Sequence, residues 1–129
     1  MQCEDDGMRS RIHESGYRLM ASLLVGRGHP ADFMSVEIDT AETADSWKLP
    51  DNTGKALLVP VSGVSDAGAA VFTGMVRPED FAGRTPESRI TRATVLSSGV
   101  PVVTSVFDPP VPLVDSSYVS VNVKLEIGG

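Results

Sequence analysis

Residues 118–127 have the sequence YVSVNVKLEI, in which apolar and polar residues alternate strictly. The apolar positions are Val119, Val121, Val123, Leu125 and Ile127. A period of two places them on one face of a β-strand, whereas the residues of a helix repeat every 3.6 positions. The segment before Gly128-Gly129 is therefore predicted to be a half-buried antiparallel strand whose polar face meets water or a partner.

The composition also favours a β-rich fold. The chain has 129 residues, which suits one domain with one modest core. Because 41% of the residues are hydrophobic but only 5% are aromatic, the core must consist mainly of Val, Leu, Ile, Ala and Met. We predict a mainly β protein, a β-sandwich or small barrel of antiparallel strands with one N-terminal helix. An α+β fold is the alternative.

The N-terminal part is predicted to contain a leader and the helix. Residues 1–9 are polar and acidic with few apolar anchors, which predicts a disordered leader ahead of a single β-rich domain at 10–129. Apolar residues recur on one helical face over residues 10–25, with Ser10 as N-cap and Gly26 just beyond the end. A short buried strand at the end of this segment is the alternative, and Met1, Met8 and Met20 are all candidate start residues.

The middle of the chain is predicted to form short strands and hairpins. A charged stretch at 77–89 leaves room for one helical turn around Glu79–Phe81. The strands are predicted at 34–38, 56–62, 69–76, 90–96 and 102–107. The second and third of these are expected to pair through a turn at 63–68, and the last two through a turn at 97–99.

Two segments are predicted to contact other proteins. Pro109, Pro110 and Pro112 lie in a run that cannot donate to a sheet ladder, which predicts a stiff polyproline II connector at 108–112. The terminal strand that follows presents Tyr118 and Asn122 on its polar face. Trp47 lies in a long polar loop at 40–54, where a lone tryptophan is either an interaction anchor or a plug for the core.

The net charge limits the classes of partner. A charge of −6 opposes binding to nucleic acid, which depends on clustered Lys and Arg. Arg77, Arg84, Arg89 and Arg92 are interleaved with acidic residues, so we expect them in a solvated loop of mixed sign. No apolar run approaches the roughly 20 residues of a membrane span. The cellular location stays open, and the acidic start disfavours a secretion signal around Leu19–Val25.

Motifs with catalytic potential are weak. Gly63-Val64-Ser65-Asp66-Ala67 resembles a nucleophile elbow, but both histidines lie upstream of it, contrary to the order of a hydrolase triad. Gly26–Ala31 matches G-x-G-x-x-A, although a strand is predicted where a dinucleotide site requires a helix. We expect turns at both places, and no catalytic residue is assigned.

No metal or organic cofactor is predicted. His29 with Asp32, and His13 with Glu14, provide too few ligands for zinc, so surface histidines are expected. The acidic residues Asp39, Glu42 and Asp45 lack the glycine and the glutamate of a calcium loop.

The functional hypothesis is a structural or interaction protein, a small subunit of a homo- or hetero-oligomeric assembly. Its proline-rich connector and terminal strand are the expected contacts, because edge strands pair readily with neighbouring chains. The composition is typical of accessory proteins of virus particles and phage tails. The alternative is a small enzyme or ligand-binding domain with a pocket under loop 40–54 and His29, Asp32 or Ser65 at its base.

Overall fold

The computed structural model describes residues 8–39, 56–66, 68–81, 84–113 and 118–126. In these ranges the strands are β1 (Met8–Ile12), β2 (Phe33–Ile38), β3 (Ala56–Pro60), β4 (Ser62–Asp66), β5 (Ala69–Val76), β6 (Arg89–Ser97), β7 (Val100–Pro112) and β8 (Val119–Glu126). The helix α1 spans Glu14–Leu24, and a 3-10 turn spans Pro78–Asp80. Within the described residues the fold is thus mainly β with one N-terminal helix, as predicted.

The strands form two antiparallel sheets that face each other. One sheet has the order β1-β7-β6-β2-β3, and the other has the order β4-β5-β8. Apolar side chains from the facing surfaces, among them Met34, Val95, Val103 and Val123, form the core. The two sheets are in close contact at Gly74 of β5, where an added Cβ would lie 2.9 Å from Cγ2 of Val59 and 3.3 Å from the Met34 sulfur. A small residue is therefore needed at position 74.

The terminal strand has the predicted alternation. Val121, Val123 and Leu125 are buried, whereas the polar residues between them are exposed. Ile127 lies outside the described residues. The strand β8 pairs with β5 in continuous register from Ala69 opposite Glu126 to Val76 opposite Val119.

The predicted hairpin at 90–107 is also present. β6 and β7 pair across Ser98 and Gly99, both of which have positive φ values, 48° and 83°. That combination is typical of a type I′ turn, whose twist matches that of the flanking strands. The predicted single helical turn is the 3-10 turn at Pro78–Asp80.

The predicted hairpin between 56–62 and 69–76 is wrong. The chain bends at Val61, so that β3 pairs with β2 while β4 pairs with β5. Residues 63–66, which were expected in a turn, belong to β4. The single apolar segment at 56–62 therefore contributes to both sheets, and local sequence does not indicate where one sheet ends and the other begins.

The start of the chain also differs from the prediction. Residues 8–12 form β1, which pairs with β7, so part of the expected leader and of the expected helix is a strand. The helix begins at Glu14 with His13 as its N-cap instead of Ser10, while Gly26 follows the helix with φ +79° as expected. Pairing with β7 outweighs helical periodicity here, because without β1 one side of β7 would have no partner strand in the described part of the chain.

The segment 108–112 is part of β7 instead of an unpaired connector. Val111 and Pro112 lie opposite Ile90 and Arg89 of β6, after an interruption of the ladder that contains Pro109 and Pro110. Prolines are tolerated in this position because β1 begins at Met8, opposite Phe107, so one side of the later β7 residues has no partner strand among those described.

Candidate functional site

The structure places two of the predicted interaction residues on one surface. Tyr118 and Asn122 have the same parity along β8, and both are exposed on the side of the sheet β4-β5-β8 that faces away from the core. Asn122 accepts a hydrogen bond from the Thr73 hydroxyl of β5 at 2.7 Å. The Arg77 guanidinium carbon lies 5.8 Å from the centre of the Tyr118 ring, within the range of a cation–π interaction.

This outward surface, which we call the outer face, combines apolar and polar side chains. Val64 of β4 is 65% exposed, Met75 of β5 is 51% exposed and Tyr118 is 62% exposed. Lys124 and Glu126 lie on the same face, with their charged groups 3.3 Å apart. A surface with large exposed apolar groups and a polar periphery is typical of a protein contact.

The strand β8 is also an edge strand of its sheet. β5 pairs with one side of β8, and no strand within the described ranges pairs with the other side. An edge strand presents backbone N–H and C=O groups that can pair with another chain. The outer face and this edge together are the candidate site.

The charges beside Tyr118 are arranged in a local cluster. The Arg77 guanidinium lies 3.3 Å from a carboxylate oxygen of Asp80 and 3.8 Å from one of Glu79. The hydrogen bond to Asp80 raises the pKa of Arg77 above its ordinary value. Because these side chains are half exposed, they can interact with charges of a neighbouring molecule.

The three predicted prolines lie elsewhere. Pro109, Pro110 and Pro112 belong to β7 in the five-stranded sheet, so the structure assigns them to a different sheet from Tyr118 and Asn122. Trp47 and loop 40–54 lie outside the described residues. The structure thus brings together two of the six predicted residues.

A second group of polar residues, which was not predicted from the sequence, lies on one face of the five-stranded sheet. The His13 ring nitrogen Nε2 lies 2.7 Å from the Thr104 hydroxyl, which is in turn 2.9 Å from the Thr94 hydroxyl. Beside them, Arg92 donates two hydrogen bonds to the Glu37 carboxylate at 2.6 and 2.8 Å. Arg92 is therefore buried instead of lying in a solvated loop as predicted.

These polar groups, of which His13 is only partly buried, hydrogen-bond to one another within the cluster. Burial and the nearby Arg11 charge lower the pKa of His13 below the ordinary value of 6.5. A bidentate arginine–carboxylate pair has the geometry that buried charges require. The sequence contained a signal for this ion pair, namely one acidic residue in β2 and one basic residue in β6. Opposite charges within two predicted buried strands indicate a pair.

The residues weighed for catalysis do not form a site. His29 Nδ1 and Asp32 Oδ2 are 4.0 Å apart, but no contact in the described part of the chain joins them to Ser65. Ser65 lies within β4, which is not the strand-to-helix turn of a nucleophile elbow. Gly26 follows a helix instead of a strand, so the dinucleotide motif lacks its required context.

Metal-ligating residues are also dispersed. The described ranges contain no group of three or more His, Cys, Asp or Glu side chains that could hold an ion. Asp39 instead accepts hydrogen bonds from the Ser88 hydroxyl at 2.6 Å and the Arg89 amide at 3.1 Å. Its carboxylate therefore connects the end of β2 to the start of β6.

A cavity of about 340 Å³ lies between α1 and the β6–β7 hairpin. It is lined by Ser15, Arg18, Leu19, Ser22, Ser97, Val100 and Val102. None of His29, Asp32 and Ser65 lines it, so it is not the pocket expected in the alternative hypothesis. Ser15 and Ser97 already donate hydrogen bonds to the carbonyl oxygens of Pro101 and His29.

Comparisons with protein-family models, with curated proteins and with solved structures each found no match for this chain. None of the helices in the described part of the protein has the length and apolar character needed to cross a membrane. The geometry of the outer face and of the β8 edge is therefore the basis for a proposed function.

Proposed function

We propose that this protein is a structural subunit that assembles with copies of itself through the edge of β8 and the adjoining outer face. The observation that carries the proposal is the position of β8. It is a regular strand of eight residues with three buried aliphatic side chains, and one of its two sides has no partner strand among the described residues.

The backbone of β8 supports pairing with a neighbour. Its burial pattern keeps one face firmly against the core, so the strand is held in a fixed orientation before a partner arrives. A preorganised edge loses little conformational entropy on binding, and the main-chain hydrogen bonds supply affinity.

The side chains of the outer face support the same proposal. The exposed residues Val64, Met75 and Tyr118 offer apolar area next to the edge. A neighbouring subunit that extends the sheet could cover part of this area, and burial contributes about 25 cal/mol per Å² of apolar surface. Assignment to a virus particle stays a prediction from composition alone.

Light scattering of the purified chain over a range of concentrations tests the proposal. The mass of one chain is 13.7 kDa, and we expect a mass of at least two chains at high concentration. The double variant Ser120→Lys/Asn122→Lys adds two positive charges to the exposed face of β8. When two copies of the variant pair, the new lysines of one copy lie close to Lys124 and to the new lysines of the other, and such like charges destabilise strand pairing. This variant should remain a folded monomer.

A matched control adds the same charge away from the edge. Ala21 and Leu24 are exposed on α1, so Ala21→Lys/Leu24→Lys should associate as the wild type does. A wild-type protein that stays at 13.7 kDa at every concentration would overturn the proposal, as would equal dissociation of both double variants.

A further inference from the structure

We infer that the partner of β8 is β8 of a second copy, paired antiparallel about a twofold axis at Asn122. This inference rests on the proposed function and specifies its contact. In this register Asn122 lies opposite Asn122 of the second copy, and the two three-stranded sheets join into one six-stranded sheet. The register follows from the alternation and from the charges.

The alternation limits the possible registers. Residues with odd numbers in β8 face the core, and those with even numbers face outward. A shift by one residue would place buried aliphatic side chains opposite exposed polar ones. Only registers that pair odd with odd and even with even residues keep both cores continuous.

Charge then disfavours one of the remaining registers. An axis at Lys124 would place two lysines directly opposite each other, and like charges in that position destabilise a sheet. With the axis at Asn122, Lys124 instead lies opposite Ser120 of the second copy. The two asparagine amides that meet at the axis carry donors and acceptors and can hydrogen-bond to each other.

The position of Arg77 favours the axis at Asn122 over one at Val123. The Asn122 axis pairs every residue from Tyr118 to Glu126, including Val119 with Leu125 on the core side. An axis at Val123 places Glu126 opposite Ser120 of the second copy, two residues away from Tyr118. The Asn122 axis instead places Glu126 opposite Tyr118, next to the Arg77 guanidinium.

The same register brings opposite charges together. Glu126 of the second copy lies opposite Tyr118, whose ring is covered by the Arg77 guanidinium at 5.8 Å. Neighbouring strands are about 4.8 Å apart, so Arg77 and this glutamate are separated by two strand spacings, which their long side chains can bridge. The twofold axis repeats this contact, so each dimer contains two Arg77–Glu126 pairs.

Disulfide trapping tests the register in a Cys3→Ser background, which removes the one native cysteine. In the proposed register the Cα atoms of Asn122 and its symmetry mate are about 4.5 to 5.5 Å apart, within disulfide range. Asn122→Cys should therefore form a covalent dimer on oxidation. Ser120→Cys mixed with Lys124→Cys should form the mixed dimer.

Lys124→Cys alone is the matched control. Residue 124 is offset from its symmetry mate by four residues, about 13 Å, so it should not cross-link with itself. Self-linking of Lys124→Cys without linking of Asn122→Cys would overturn the inferred register. The proposed function would survive that result, because it depends on whether charges at the edge dissociate the assembly.

A charge exchange tests the interchain pair. Arg77→Glu should raise the dissociation constant of the dimer about 3- to 10-fold, and Arg77→Glu/Glu126→Arg should restore it. Arg77→Glu/Glu79→Arg restores an opposite-charge pair between residues 77 and 79 within one chain but not the interchain pair with Glu126. The dimer of this variant should therefore stay weakened. Equal affinity of these two double variants would contradict the contact between Arg77 and Glu126.

Discussion

Gly16 of α1 lies directly against the backbone of Val102 in β7, so that a Cβ on residue 16 would overlap the Val102 carbonyl oxygen. The same carbonyl accepts a hydrogen bond from the His13 amide at 2.9 Å. This contact positions the start of the helix on the five-stranded sheet. The glycine that weakens the helix by sequence criteria is therefore required by packing.

Gly16→Ala is expected to destabilise the protein despite its better helix propensity. Propensity alone predicts a gain of about 1 kcal/mol, whereas displacement of the helix from a backbone group predicts a loss of about 1 to 3 kcal/mol. Urea denaturation measures the sign of the change. Ala21→Gly on the exposed face is the control and should lose about 1 kcal/mol, and a more stable Gly16→Ala variant would contradict the close contact.

Val123→Asp is expected to unfold the protein or cause it to aggregate. Val123 is fully buried between the sheets, and an unpaired carboxylate there destabilises by more than about 4 kcal/mol. Asn122→Asp is the neighbouring control, since its side chain is exposed and can still accept the Thr73 hydrogen bond. Circular dichroism and urea denaturation at low concentration should show a folded Asn122→Asp monomer. Equal tolerance of both changes would contradict the register of β8.

Stability is expected to fall as the pH decreases below about 6.5, partly because of His13. Its pKa in the folded protein is lowered below 6.5 by burial and by Arg11, so the unfolded chain binds the proton more readily. The contribution of neutral His13 to the free energy of unfolding is fully present above pH 6.5. It is lost as the pH falls through the lower pKa of His13 in the folded protein. His13→Gln keeps a group that can hydrogen-bond to Thr104 and should reduce this pH dependence in urea denaturation. An unchanged slope in the variant would contradict the role of His13.

Ser98→Asn is expected to stabilise the β6–β7 hairpin by a few tenths of a kcal/mol, up to about 1 kcal/mol. Ser98 has a φ of 48°, and asparagine tolerates this left-handed conformation better than serine does. Thermal denaturation should show a higher midpoint. Ser98→Val is the opposite control, because a β-branched residue is strained at positive φ, and its midpoint should fall.

The local pattern of the sequence determined several elements of this protein. The alternation at 118–127 predicted β8 and its buried face, and the small β-branched composition predicted antiparallel sheets. The residues around Ser98-Gly99 predicted a hairpin. These predictions succeeded because strand periodicity and turn geometry depend on residues that are adjacent in the chain.

Tertiary structure decided which strands became neighbours. The bend at Val61 assigns one apolar segment to two sheets, and β1 forms because β7 offers it a partner, although its residues also fit a helix. In the candidate site, the sequence identified Tyr118 and Asn122 on a polar strand face, but the contact of Arg77 with Tyr118 brings together residues 41 positions apart in the numbering. Pairings of this kind depend on the free energy of the whole packed structure, which local propensities do not contain.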